Sequence, residues 1–112
     1  MEETTDAEAS GPDTVELGGN IEISGFKDVD YASMIVVKKI IGNYVKRFSE
    51  QFNGFEHFKM TMKKVHETPG SEKYELKAEA VVDNKPTNAE ITERNLFVAV
   101  DSVLKKIEAS LS

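Results

Sequence analysis

Two carboxylates on one strand face, two histidines, a few serines and a stripe of lysines are the side chains here whose types and spacing could do chemistry. Glu75 and Glu79 lie on the same face of a segment that alternates apolar and charged residues. At ~3.3 Å rise per residue they stand roughly 13 Å apart, too far to act as acid and base on one bond. Lys77 falls between them, and Lys59 and Lys63 can lie across the ladder, so this face reads as a solvated charge lattice. His57 and His66 differ in strand parity and have no further ligand at a spacing zinc would need. Ser24, Ser33 and Ser49 sit in no nucleophile elbow, and Gly18-Gly19 precedes a strand, so it forms no phosphate-cradling loop. Cysteine is absent, which excludes disulfides, thiolate metal sites and thiol nucleophiles. No catalytic residue, metal site or cofactor site is assigned, and the chain reads as non-enzymatic.

The lysines are the stronger signal. At 100° per residue on a helix, Lys39, Asn43 and Lys46 fall within about 60° of one another, opposite the apolar positions Ile41 and Phe48. Lys38 and Arg47 flank them on either side. Lys105 and Lys106 occupy the expected exposed side of a second helix. Together these six cations form a candidate phosphate-binding patch, diluted by Glu50, Asp101 and Glu108.

Two helices and a sheet must position that patch. Ile21 and Ile23 alternate with Glu22 and Ser24, which predicts a short strand over 20–24. Asp28 or Asp30 can cap a long helix with core positions Val37, Ile40, Ile41, Tyr44, Val45, Phe48 and Phe52. A left-handed glycine stop near Asn53-Gly54 would end it. From Phe58 to Val65 the period switches to two. A hairpin loop is expected over 66–72 around Pro69-Gly70, followed by a strand in which Tyr74, Leu76, Ala78, Ala80 and Val82 face inward. A turn over 83–86 leads into an edge strand over 87–91. Asn95 or Thr92 then caps a final helix with core stripe Phe97, Val100, Val103, Leu104, Ile107 and Leu111. The strands have one apolar face, so both helices must cover it. The expected fold is α+β: a two-layer β-α-β-β-β-α sandwich, with a four-stranded mixed sheet and two helices on one face.

Charge is unevenly spread. Residues 1–17 contain six acidic residues and no lysine or arginine, which accounts for the whole net charge of −6. With Val15 and Leu17 as its sizeable aliphatics, this segment is expected to be a disordered acidic tail ahead of one domain over 18–112. That domain is formally neutral, yet Lys27 to Lys64 holds eight basic and four acidic residues. Clustering of this kind, more than the sum, decides polyanion binding. No apolar run is long enough to cross a bilayer and no basic n-region precedes an apolar h-region, so a cytoplasmic protein is expected.

The order of elements and the segment NLFVAVDSVLKKIEASL, Asn95 to Leu111, resemble the ribosome-associated inhibitor and hibernation-promoting factor family. The likeness spans Asn20 to Leu111. It is carried by Ile21–Ile23, the helix segment Lys39 to Phe48, the strand Tyr74–Val82 and the motif Asn95–Asp101. In that motif Asn95 stands where the family has a cap, Phe97 where it has an aromatic, and Ala99-Val100-Asp101 where it has an Ala-apolar-Asp step. The resemblance implies binding to the small ribosomal subunit through ribosomal RNA; no DNA and no membrane partner is expected. It gives the RNA-contacting role to Lys38, Lys39, Lys46, Arg47, Lys105 and Lys106, and implies that translation is slowed when the subunit is occupied. The alternative is a protein-interaction module that uses the open sheet face or an edge strand to hold a protein partner.

Overall fold

The computed structural model describes residues 14–68 and 70–112. The chain runs β1 (Val15–Glu16), β2 (Ile21–Ser24), α1 (Tyr31–Gln51), β3 (Phe55–Thr68), β4 (Ser71–Val82), β5 (Lys85–Glu93) and α2 (Leu96–Leu111). The two-layer α+β class matches the sequence expectation, but the sheet has five strands instead of four, in the order β1-β2-β3-β4-β5. The extra strand lies in the segment expected as a tail. Val15 and Glu16 pair antiparallel with Ile23 and Glu22, and two residues carry too little alternation to announce a strand. Residues 1–13 of that tail lie outside the described residues.

β2 and β3 are parallel, with Ile21 opposite Phe58 and Ile23 opposite Met60. A parallel pair needs a crossover, and α1 supplies it. The β3–β4–β5 ladders are antiparallel. β3 and β4 extend further than the composition implied, through His66 opposite Glu72 to Thr68 opposite Ser71, so only two residues separate them where a loop over 66–72 was expected. Asp83 and Asn84 have φ of 53° and 64°, the signature of a type I′ two-residue turn, whose twist matches the flanking strands. β5 consequently starts at Lys85 and includes Pro86.

Both helices cover the same sheet face. Phe58, Met60, Met62, Leu76, Ala78 and Ala80 are buried in one cluster with Val37, Ile41, Tyr44, Val45 and Phe48 of α1, and with Leu96, Ala99, Val100, Val103, Leu104 and Ile107 of α2. Phe48 anchors this core, with its ring centroid 6.2 Å from those of Tyr44 and Phe55 and 6.5 Å from that of Phe58. Burial of such side chains contributes about 1.5–3 kcal/mol each. Phe97 departs from the expected core stripe and is 36% exposed.

Side-chain caps fix the helix starts. Asp30 accepts from the Ser33 backbone N–H and Asn95 from that of Val98, each at 3.0 Å. The Ser33 hydroxyl and backbone N–H hold the Asp30 carboxyl below its ordinary range. α1 ends on Phe52 in an extended conformation, without the left-handed glycine that was expected. Gly54 instead leaves room for the Asp83 side chain, which a Cβ there would strike.

Candidate nucleic-acid interface

The helices run side by side, and two polar contacts set their alignment. Tyr44 donates its hydroxyl proton to Asp101 Oδ1 at 2.9 Å. Arg47 forks onto Glu108, with Nε 3.1 Å from Oε2 and Nη2 3.2 and 3.0 Å from the two oxygens. Residue numbers rise together in these pairs, so the helices are parallel. The Arg47 guanidinium also lies 4.4 Å from the centre of the Tyr44 ring, a cation–π distance. Lys105 completes the seam with an ion pair to Asp101 Oδ2 at 3.1 Å.

Protonation follows from this network. Partial burial pushes the Tyr44 hydroxyl above its ordinary value, and the neighbouring Asp101 carboxylate pushes it further. Burial pushes Asp101 upward too, but the Tyr44 hydroxyl, Lys105 and Arg47 together outweigh it and hold the carboxyl low. Glu108 raises Arg47, and Asp101 raises Lys105. The Arg47 and Glu108 side chains remain 45% and 27% exposed, so their pair orients the helices more than it stabilises them.

This geometry divides the six cations expected to form one patch. Arg47 and Lys105 are neutralised in the interhelical seam. Lys106 points to the opposite flank of α2 and donates to the Glu90 carbonyl of β5 at 3.2 Å. Lys38, Lys39 and Lys46 stay exposed on α1 and form no hydrogen bond or ion pair with the described residues. Lys39 and Lys46 are two turns, about 10 Å, apart on the outward face, and Glu50 lies one turn beyond Lys46. Of the six cations, the three without a described partner are therefore all on α1.

The two helices also carry residues whose exposure the sequence hid. Tyr31 is 83% exposed, and Ile35, Val36, Phe97 and Val98 are also exposed. With Tyr44 aligned to Asp101, one turn back brings Ile40 level with Phe97, and a further turn brings Val36 to the same side. The helical layer is thus apolar toward its N-terminal end and polar toward its C-terminal end. Tyr31 lies two turns before Lys38 on the same flank of α1 and offers a face on which an unpaired base can stack, while Phe97 lies across the helix at the seam with α2. Periodicity alone had assigned Phe97 to the core. Its position four residues before Asp101, on the side turned to α1, is the signal that would have placed it at the seam.

The open sheet face is a charge lattice. Lys59 sits between Glu22 and Glu79, Lys63 opposite Glu75, and Lys77 opposite Glu90. Directly opposed charges of opposite sign stabilise the ladder and leave little net field for a polyanion. His57 and His66 lie on the same long strand, at ~3.3 Å per residue roughly 30 Å apart. Among the described residues, no group of three or more His, Asp or Glu is placed to hold a metal ion. Among them, too, no helix is long and apolar enough to cross a membrane.

A cleft of about 710 Å³ opens where α1 and α2 begin, lined in part by Asp28, Asp30, Lys64, Tyr74, Arg94 and Asn95. Its two helix N-termini are already capped by Asp30 and Asn95, which leaves them weak anion donors. No known family model matches the chain, nor does any curated protein.

Proposed function

We propose that this chain is a non-enzymatic binder of structured RNA, with the RNA of the small ribosomal subunit as its target, and that it slows translation by occupying that subunit. One observation carries the reading: Lys38, Lys39 and Lys46 stand exposed on α1 without a described counter-charge, while Arg47, Lys105 and Lys106 are each engaged. Tyr31, two turns before Lys38 on the same flank, adds a stacking surface, which suits an RNA element with unpaired bases more than a regular duplex. The resemblance of Asn95–Asp101 to the hibernation-factor helix supports the choice of target, although Asp101 itself is occupied in holding the helices together.

A second reading rests on Ile35, Val36 and Val98, aliphatics that add nothing to base stacking. They favour a protein partner docking on the same surface, with the lysines at its rim. Reversal of all three lysines to Glu, with cosedimentation on purified small subunits as the readout, tests the first reading. Loss of binding with an unchanged circular dichroism spectrum supports RNA contact. Binding that survives the reversal but falls on Ile35→Asp or Val98→Asp replaces it with the protein reading.

A further inference from the structure

β5 ends the sheet, and among the described residues no strand lies beyond its outer edge. The type I′ turn at Asp83-Asn84 makes Val82 and Lys85 a hydrogen-bonded pair, and such pairs alternate along an antiparallel ladder. Lys85, Thr87, Ala89, Ile91 and Glu93 therefore direct their backbone groups to β4. Pro86, Asn88, Glu90 and Thr92 direct theirs outward. Two observations agree with this assignment. The Lys106 ammonium reaches the Glu90 carbonyl from outside the sheet, and Pro86, which lacks an N–H, falls at an outward position.

We infer that this edge pairs with the same edge of a second copy of the chain, antiparallel about a two-fold axis through Ala89. Charge selects both the partner and the register. Lys85 and Glu93 lie equally far from Ala89 on either side, so each copy sets its Lys85 opposite Glu93 of the other, giving two ion pairs across a non-hydrogen-bonded position where Cα atoms stand roughly 4.5 Å apart. Asn88 then faces Glu90 of the second copy, and the two exchange backbone hydrogen bonds. The Thr92 N–H reaches the Pro86 carbonyl. Centring the pair on Glu90 would oppose two like charges, and centring it on Asn88 would leave Lys85 without a partner. The helical layer does not obstruct the approach, because the flank of α2 above the edge carries Ala109 and Ser110 beside Lys106. Lys106 releases the Glu90 carbonyl to the Asn88 N–H of the second copy. The product is a continuous ten-stranded sheet with four helices on one face, an isologous dimer.

Sedimentation equilibrium of the full chain up to millimolar concentration tests this directly. Wild type should show a monomer–dimer equilibrium. Lys85→Glu alone and Glu93→Lys alone should each weaken it by at least about tenfold, since each sets like charges across the strand pair. The double exchange, Lys85→Glu with Glu93→Lys, should restore the dimer to within about threefold of wild type. Asn88→Pro removes only an outward N–H and should also yield a monomer with an unchanged circular dichroism spectrum. A wild type that stays monomeric throughout overturns the inference, as does a dimer indifferent to these charges or one that the double exchange fails to rescue.

Discussion

The Tyr44 hydroxyl donates to Asp101 Oδ1 at 2.9 Å, linking residues 57 apart in sequence and holding the two helices in parallel alignment. That one contact determines much of the surface above it. Along the same seam Arg47 and Lys105 pair with Glu108 and Asp101 while staying exposed, and Val36 and Phe97 lie toward its apolar end.

Loss of that hydroxyl should therefore be felt. Tyr44→Phe should lower unfolding free energy by roughly 1–2 kcal/mol, the scale of a partly buried hydrogen bond to a charged group, measured by urea denaturation. The pH dependence is fixed by the two shifts. Asp101 titrates lower in the folded protein than in the unfolded chain, so its contribution is complete above the ordinary carboxylate range and is lost as pH falls through the folded value. Tyr44 titrates higher when folded, so its contribution is complete below the ordinary phenol value and is lost as pH rises through the raised one. Asp101→Asn should flatten the acid arm of the stability profile, and Tyr44→Phe the alkaline arm.

Gly25 connects β2 to the approach to α1 with φ of 87°, and a Cβ there would strike the Met62 carbonyl. Gly25→Ala combines a left-handed backbone with a clash against backbone that cannot swing aside. It should destabilise by more than about 2 kcal/mol in thermal or chemical unfolding. A change within experimental error would show that the β2–β3 approach is looser than described.

Leu76 is fully buried in the middle of β4. Leu76→Ala empties a packed site and should cost about 2–5 kcal/mol by urea titration, with the m-value unchanged.

Most of the scaffold was legible from spacing. The period-two runs at Phe58–Val65 and Tyr74–Val82, the apolar stripes of both helices, and Asp30 and Asn95 as caps all follow from side-chain direction and local hydrogen bonding, which neighbours in sequence decide. The partners of the candidate cations were less legible. Whether Arg47 meets a phosphate or Glu108, 61 residues away in sequence, depends on how the two helices align, and no local pattern encodes that. Lys106 is similar: its neighbour Lys105 is one step away in sequence but a hundred degrees away on the helix, so one serves the seam and the other the sheet edge. β1 was hidden for a different reason, since Val15 and Glu16 sit at the end of an acidic stretch whose composition outweighs two residues.

Residues 1–13 contribute Glu2, Glu3, Asp6, Glu8 and Asp13 with no lysine or arginine, and the sheet begins beyond them at Val15. Their deletion should leave the thermal midpoint nearly unchanged and should raise affinity for RNA at low salt, an advantage that fades as screening increases. Filter binding at two salt concentrations measures the affinity change, and a thermal melt followed by circular dichroism measures the midpoint.

The salt dependence of binding to purified small ribosomal subunits tests the central claim most directly. Three uncompensated lysines, each releasing counterions with a slope of roughly 0.7–0.9, should give a log affinity that falls against log salt with a slope of about −2 to −3. Lys38→Glu, Lys39→Glu and Lys46→Glu combined should abolish that binding while the fold persists. Wild-type protein that ignores small subunits at low salt, or binds them with a slope near zero, would contradict the claim.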